Sequence, residues 1–179
     1  MRVFIFQPAL PKYRLDFFER IDKLFNRQLS VYYSETDLGI LTKINEKYKW
    51  AIKLGKMKKI FPGFYWQLNV LSVDISSADC IVVCGNPRNL STIILLIKAI
   101  WLKKQTIWWG QYWSSTSVKY RQLIRIYISK LASSLLFYTD REVFIFKRNF
   151  PNFNRSLGAL NNGIDISKIS QRRYNYSSK

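Results

Sequence analysis

Along the chain, continuous apolar runs alternate with segments whose apolar residues recur every three or four positions. "RVFIF" (2–6) is β-branched and aromatic throughout, the pattern of a strand buried on both faces. A helical stripe follows, formed by Leu15, Phe18, Ile21, Leu24 and Phe25, with Asp16, Glu19, Arg20 and Lys23 off it. "LSVYY" (29–33) reads as the next strand. Further on, the pattern predicts strands at 65–71, 80–84, 105–109, 134–138 and 157–161, and helices at 89–103, 117–131 and 140–150. Between Glu35 and Pro62 it is poor, and the segment is basic, with Lys43, Lys47, Lys49, Lys53, Lys56, Lys58 and Lys59. Alternation of this kind predicts βαβ units, hence an α/β fold with a Rossmann-like parallel sheet and helices on both faces.

In an open parallel sheet, ligands bind beyond the carboxyl ends of the strands, so the residues after each strand are the candidates. After the first come Lys12, Tyr13 and Arg14, in a connection stiffened by Pro8 and Pro11 and entering a helix whose start suits an anion. After "CIVVC" comes "GNPRNLS". There Asn86-Pro87 sets a turn, Asn89 or Ser91 can cap the next helix, and Arg88 stands at the rim as a fork for phosphate or carboxylate. After "TIWW" comes "GQYWSS", where Gly110 allows a tight turn and Gln111, Tyr112 and Trp113 offer amide, phenol and indole to a sugar. Asp140 and Arg141 follow the "SLLFY" strand at a helix start, where Asp140 equally serves as an N-terminal helix charge.

Charge changes the picture most. The chain has 179 residues with 29 Lys and Arg against 11 Asp and Glu, a formal charge of +18, and no histidine. Such an excess sits on the surface and attracts polyanions: nucleic acid, anionic lipid or phosphorylated substrates. Two cysteines, Cys80 and Cys84, share one face of a strand, too close along it for an unstrained bridge and too few for a metal site. They read as small buried apolar residues in a reducing compartment. No metal and no cofactor is expected. The G-x-S-x-G, G-x-x-x-x-G-K-[ST] and G-x-G-x-x-G motifs are absent, which weakens hydrolase, kinase and dehydrogenase readings.

The N-terminus is too short in apolar length for a signal peptide, and "LSTIILLIKAIWL" (90–102) falls short of the ~20 residues that span a bilayer. The expected location is therefore cytoplasmic, peripheral on the inner face of the membrane. Lys53, Lys56, Lys58 and Lys59, with Lys119, Arg121 and Arg125 on the 117–131 helix, are the candidates for contact with an anionic surface.

The ordered segments resemble family 4 glycosyltransferases of the GT-B type. "QPALPKYRLDFF" after the first strand is similar to the family's start, and "ADCIVVCGNPRNLSTIILL" to its strand, Gly-Asn-Pro-Arg turn and apolar helix. "TIWWGQYW" stands where the family often carries a W-G-H-G-like loop, with Gln111 in place of the histidine. Glutamine hydrogen-bonds but carries no proton. "LLFYTDREVFIF" and "ALNNGID" resemble the family's Tyr-Thr/Ser helix start and N-G-I-D strand end.

The resemblance runs from Met1 to Asp165 outside 35–63, and implies a single N-terminal half of a GT-B fold (1–165) with a polar linker or tail (166–179). It further implies an acceptor-binding domain for a lipid-linked or envelope saccharide. The nucleotide-sugar donor would be a substrate of the complete enzyme, held by a donor domain on a separate polypeptide; the family's E-x7-E element is absent here. Lys12, Tyr13, Arg14, Asn86, Arg88, Gln111, Trp113, Asp140 and Arg141 become acceptor-binding candidates on this reading, and the catalytic residues stay unassigned. Two alternatives remain at this level. One is a basic nucleic-acid-binding module, disfavoured because the aromatics lie within apolar runs and no binding motif occurs. The other is a truncated, non-catalytic remnant.

Overall fold

The computed structural model describes residues 1–35, 48–113 and 119–161. The 3-10 turn Lys12–Arg14 leads into α1 (Leu15–Leu24); the later helices are α2 (Leu90–Trp101), α3 (Lys119–Ser129) and α4 (Asp140–Asn149). The strands are β1 (Val3–Gln7), β2 (Leu29–Tyr33), β3 (Ala51–Lys53), β4 (Met57–Phe61), β5 (Phe64–Gln67), β6 (Cys80–Cys84), β7 (Gln105–Trp109), β8 (Ser134–Phe137) and β9 (Ser156–Ala159).

Seven of these form one sheet in the order β3-β2-β1-β6-β7-β8-β9. Every neighbouring pair in it is parallel. The apolar runs are continuous because both faces are covered. Phe4 and Phe6 join the core under α2, α3 and α4, which contains Leu95, Ile126 and Phe146. Val3 and Ile5 point the other way, into the core under α1 with Phe18, Val31 and Trp109. This is the predicted α/β, Rossmann-like architecture, and the strands at 29–33, 80–84 and 105–109 coincide with prediction residue for residue.

Three expectations are corrected. The strand expected at 65–71 is shorter, Phe64–Gln67, and lies outside the parallel sheet as the antiparallel partner of β4. Pro62 and Gly63 turn the chain between them, Gly63 at φ +82°, and Asn69 at φ 61° stops extended structure. The poorly patterned basic stretch therefore holds β3, on the sheet edge, and ends in β4, the first strand of the hairpin. Leu24 is 79% exposed, because it ends α1 about 120° round from Phe18. The buried residue near the helix end is instead Asp22, which accepts from Arg27 at 3.0 Å and from the Leu29 backbone at 3.3 Å.

Both cysteines are free thiols. No helix among the described residues is long and apolar enough to cross a membrane. The expected linker 166–179, the N-G-I-D residues 162–165, and Lys43 and Lys47 lie outside the described residues.

Candidate functional site

The chain leaves β1 toward one edge of the sheet and β6 toward the other, so the strand order reverses between these two neighbours. At such a point the connecting loops part and leave a crevice at the carboxyl ends. A cleft of about 680 Å³ lies to one side of that point, just beyond the ends of β6, β7 and β8.

Its floor is glycine. Gly85 and Gly110 follow β6 and β7, and a methyl group on Gly85 would come within 2.8 Å of Gly110 Cα and 2.5 Å of Trp108 Nε1. The two loops touch backbone to backbone, tied by Gly85 N–H to Trp109 O at 2.6 Å and Gly110 N–H to Leu136 O at 3.0 Å. Asn86 and Arg88 form the rim on the β6 side, where the Arg88 N–H donates to Asn86 Oδ1 at 3.1 Å. Gln111 adds an exposed amide beside them.

One wall is α3, which contributes Tyr120, Arg121, Ile124 and Arg125. The other is the β4–β5 turn, Pro62 to Phe64. That turn is bound into the domain: Tyr65 N–H donates to Arg88 O at 2.8 Å, and Gln67 N–H to Ser91 Oγ at 2.9 Å. Gln67 Nε2 also donates to Gln7 O at 3.0 Å, at the end of β1. Asn89 precedes α2 as predicted, but its Oδ1 accepts from Ser91 Oγ at 2.7 Å instead of capping a backbone N–H.

Arg14, outside the lining itself, contacts two of its residues, Trp109 and Tyr138. Its guanidinium lies 4.6 Å from the Trp109 ring centroid and donates to Gln7 Oε1 at 3.2 Å and Tyr138 Oη at 3.4 Å. Burial raises the Tyr138 hydroxyl above its ordinary value against the opposing pull of Arg14. Burial likewise pushes the Cys84 thiol up to about 11.

Arg125 is half-buried, and its buried Nε has no hydrogen-bond partner among the described residues. Its pKa is lowered first by desolvation and then by the like charge of Arg88. No carboxylate lines the cleft among the described residues. The buried Glu142 near Arg125 is committed elsewhere. It accepts from the backbone N–H of Tyr112 at 2.9 Å, Tyr138 at 3.1 Å and Thr139 at 3.0 Å, and Thr139 caps α4 in return.

Of the predicted acceptor-binding residues, the structure brings Asn86, Arg88 and Gln111 together in the cleft and sets Arg14 at its margin. Lys12 and Tyr13 are exposed and outside its lining. Trp113 packs on the core beside Tyr112, ring centroids 5.4 Å apart. Asp140 is held by Asn161, which accepts from its N–H at 3.0 Å and donates to its carboxylate at 2.5 Å, while Arg141 is exposed on α4. Arg121 and Arg125, expected on a membrane-facing surface, line the cleft, Arg121 exposed and Arg125 half-buried. Lys53 is paired with Glu35 at 2.5 Å, and Lys56, Lys58 and Lys59 are exposed on or beside β4.

Sequence reasoning missed Trp109, Tyr138 and the β4–β5 turn as parts of the cleft. The Pro62-Gly63 pair was the available signal for the turn, and Thr139-x-x-Glu142 for the capping box. Comparison with protein-family models, with curated proteins and with solved structures finds no match in any of the three.

Proposed function

We propose that this chain is the acceptor-holding lobe of a two-lobed glycosyltransferase of the GT-B type, working on a lipid-linked or envelope saccharide at an anionic membrane face. The observation that carries the reading is the convergence of Asn86, Arg88 and Gln111 on one open cleft at the carboxyl ends of a parallel sheet. Amide and guanidinium donors beside the Trp109 and Tyr138 rings suit a hydroxylated, anion-bearing ligand.

No carboxylate lines the cleft among the described residues, and the chain has no histidine. Sugar transfer also needs the leaving diphosphate held and its developing charge stabilised. A second, donor-holding lobe facing the cleft would supply that. It would also position donor against acceptor, an effect on the order of 7–11 kcal/mol.

The test is a transfer assay with nucleotide-sugars and a lipid-linked saccharide, run with and without a separate donor-lobe polypeptide. Transfer only in the mixture is expected. Robust transfer by the 179-residue chain alone would overturn the reading.

A further inference from the structure

We infer that the cleft and the β4–β5 turn together form a site for a phosphate or diphosphate group carried on an apolar chain. This deepens the acceptor-lobe reading and rests on it for the reaction the ligand would enter.

The anion is called for by the guanidinium groups. Arg88, Arg121 and Arg125 line one cleft with no acidic side chain among its described residues to balance them. The like charges of Arg88 and Arg125 repel across the cleft, offset only in part by Glu142, and a bound anion relieves that repulsion. A neutral sugar does not. Guanidinium forks match phosphate oxygens two at a time, and Arg125 keeps a buried Nε–H without an acceptor among the described residues. Glu142 cannot substitute for a ligand, because its carboxylate is taken up by the Tyr112, Tyr138 and Thr139 backbone.

The apolar chain is called for by the rest of the lining. Phe64 is 41% and Ile124 50% exposed, and both border the arginines. Outside the cleft, Ile60 and Phe61 continue the apolar surface along the hairpin, with Lys58 and Lys59 exposed beside them. Exposed aromatic and aliphatic side chains flanked by lysines suit the boundary between lipid headgroups and acyl chains. The Tyr65 to Arg88 backbone bond fixes the turn against the rim. A hairpin resting in that boundary would therefore hold the arginines at headgroup depth.

Calorimetry on the intact chain with three probes tests this: farnesyl diphosphate, inorganic pyrophosphate and farnesol. Farnesyl diphosphate is expected to bind at least about tenfold more tightly than either of the others. Arg88→Gln should weaken both phosphate probes by about tenfold, and Arg88 is exposed enough to be replaced without unfolding the chain. Phe64→Ser should bring farnesyl diphosphate down to the affinity of pyrophosphate and leave pyrophosphate unchanged.

Equal binding of farnesol would overturn the anion site. Equal binding of pyrophosphate, unaffected by Phe64→Ser, would leave a site for free phosphate and overturn the lipid part. The acceptor-lobe reading fails separately. Diphosphate binding with no transfer after a donor lobe is added would refute that reading alone. Transfer to a phosphate-free saccharide at an unchanged rate in Arg88→Gln would refute this inference alone.

Discussion

The Glu142 carboxylate accepts the Tyr112 backbone N–H at 2.9 Å, joining the first turn of α4 to the loop after β7. With its bonds to Tyr138 and Thr139, one buried side chain fixes the two loops that close the cleft on the β7 and β8 side. Leaving a buried donor unpaired costs ~1–3 kcal/mol. Glu142→Ala should therefore lower stability by several kcal/mol in urea unfolding, and Glu142→Gln by less, since one acceptor oxygen remains. A loss under about 1 kcal/mol for Glu142→Ala would mean that the loops are held by something else.

The glycine floor gives a second expectation. An added methyl on Gly110 would come within 2.8 Å of Gly85 Cα and 2.9 Å of Gly85 O, which are backbone atoms that cannot step aside. Gly85→Ala and Gly110→Ala should each cost about 1–3 kcal/mol, the usual penalty for overpacking. Gly158→Ala, whose methyl would meet only Leu136 Cδ1 at 3.5 Å, serves as the control and should stay close to wild type. Thermal unfolding of the three variants reads this out directly.

Cys84 sets a pH dependence. Its folded thiol is raised from the ordinary 9.0 to about 11 by burial, so the folded state holds the proton more tightly than the unfolded chain does. Its contribution is complete below pH 9 and is lost as pH rises from 9 to 11. The stability of wild type relative to Cys84→Ala should follow that window, and a difference that stays flat across it would refute the assignment. In the folded chain, alkylation of Cys84 at neutral pH should be slow, because the thiolate is the nucleophile.

Membrane contact by the hairpin predicts binding to vesicles containing anionic lipid and little to neutral ones, weakening as salt is added. Each basic residue near such a surface contributes about 1 kcal/mol. Reversing Lys58 and Lys59 to glutamate should thus weaken binding by about thirtyfold or more in co-sedimentation. Equal binding of the double variant would place the contact elsewhere on the chain.

Most of the sheet was legible because a strand covered on both faces is apolar without interruption. "CIVVC" and "LSVYY" can hardly be anything else. The hairpin was not legible, because "YWQLNVL" keeps its apolar character past Gln67 although Asn69 bends the backbone. Asn86, Arg88 and Gln111 could be found from the rule that strand ends bear ligands. Arg121 and Arg125 could not, since their i,i+4 spacing puts them on one helix face without saying whether it looks to water or to a neighbouring loop. Only the fold, which sets them in one cleft with Gly110 and Gln111 of the β7 loop, decides that. Glu142 was hidden for a similar reason: its nearby partners sit in a capping box, but Tyr112 is 30 residues away.

The position of β1 in the sheet also governs how the chain comes into being. Its two neighbours are β2, paired through Val3 and Leu29, and β6, paired through Val3 and Cys80. As the chain emerges from the ribosome, β2 can join β1 early, but the other edge stays open until residue 80 appears. At roughly 5–20 residues per second that interval lasts about 4–15 s. Throughout it Val3, Phe4, Ile5 and Phe6 present an unpaired apolar edge in a nascent chain, the kind of surface that chaperones hold and that aggregates when they are scarce. Slower synthesis lengthens the exposure, and the yield of folded protein in cells becomes sensitive to translation speed between the codons for β1 and those for β6.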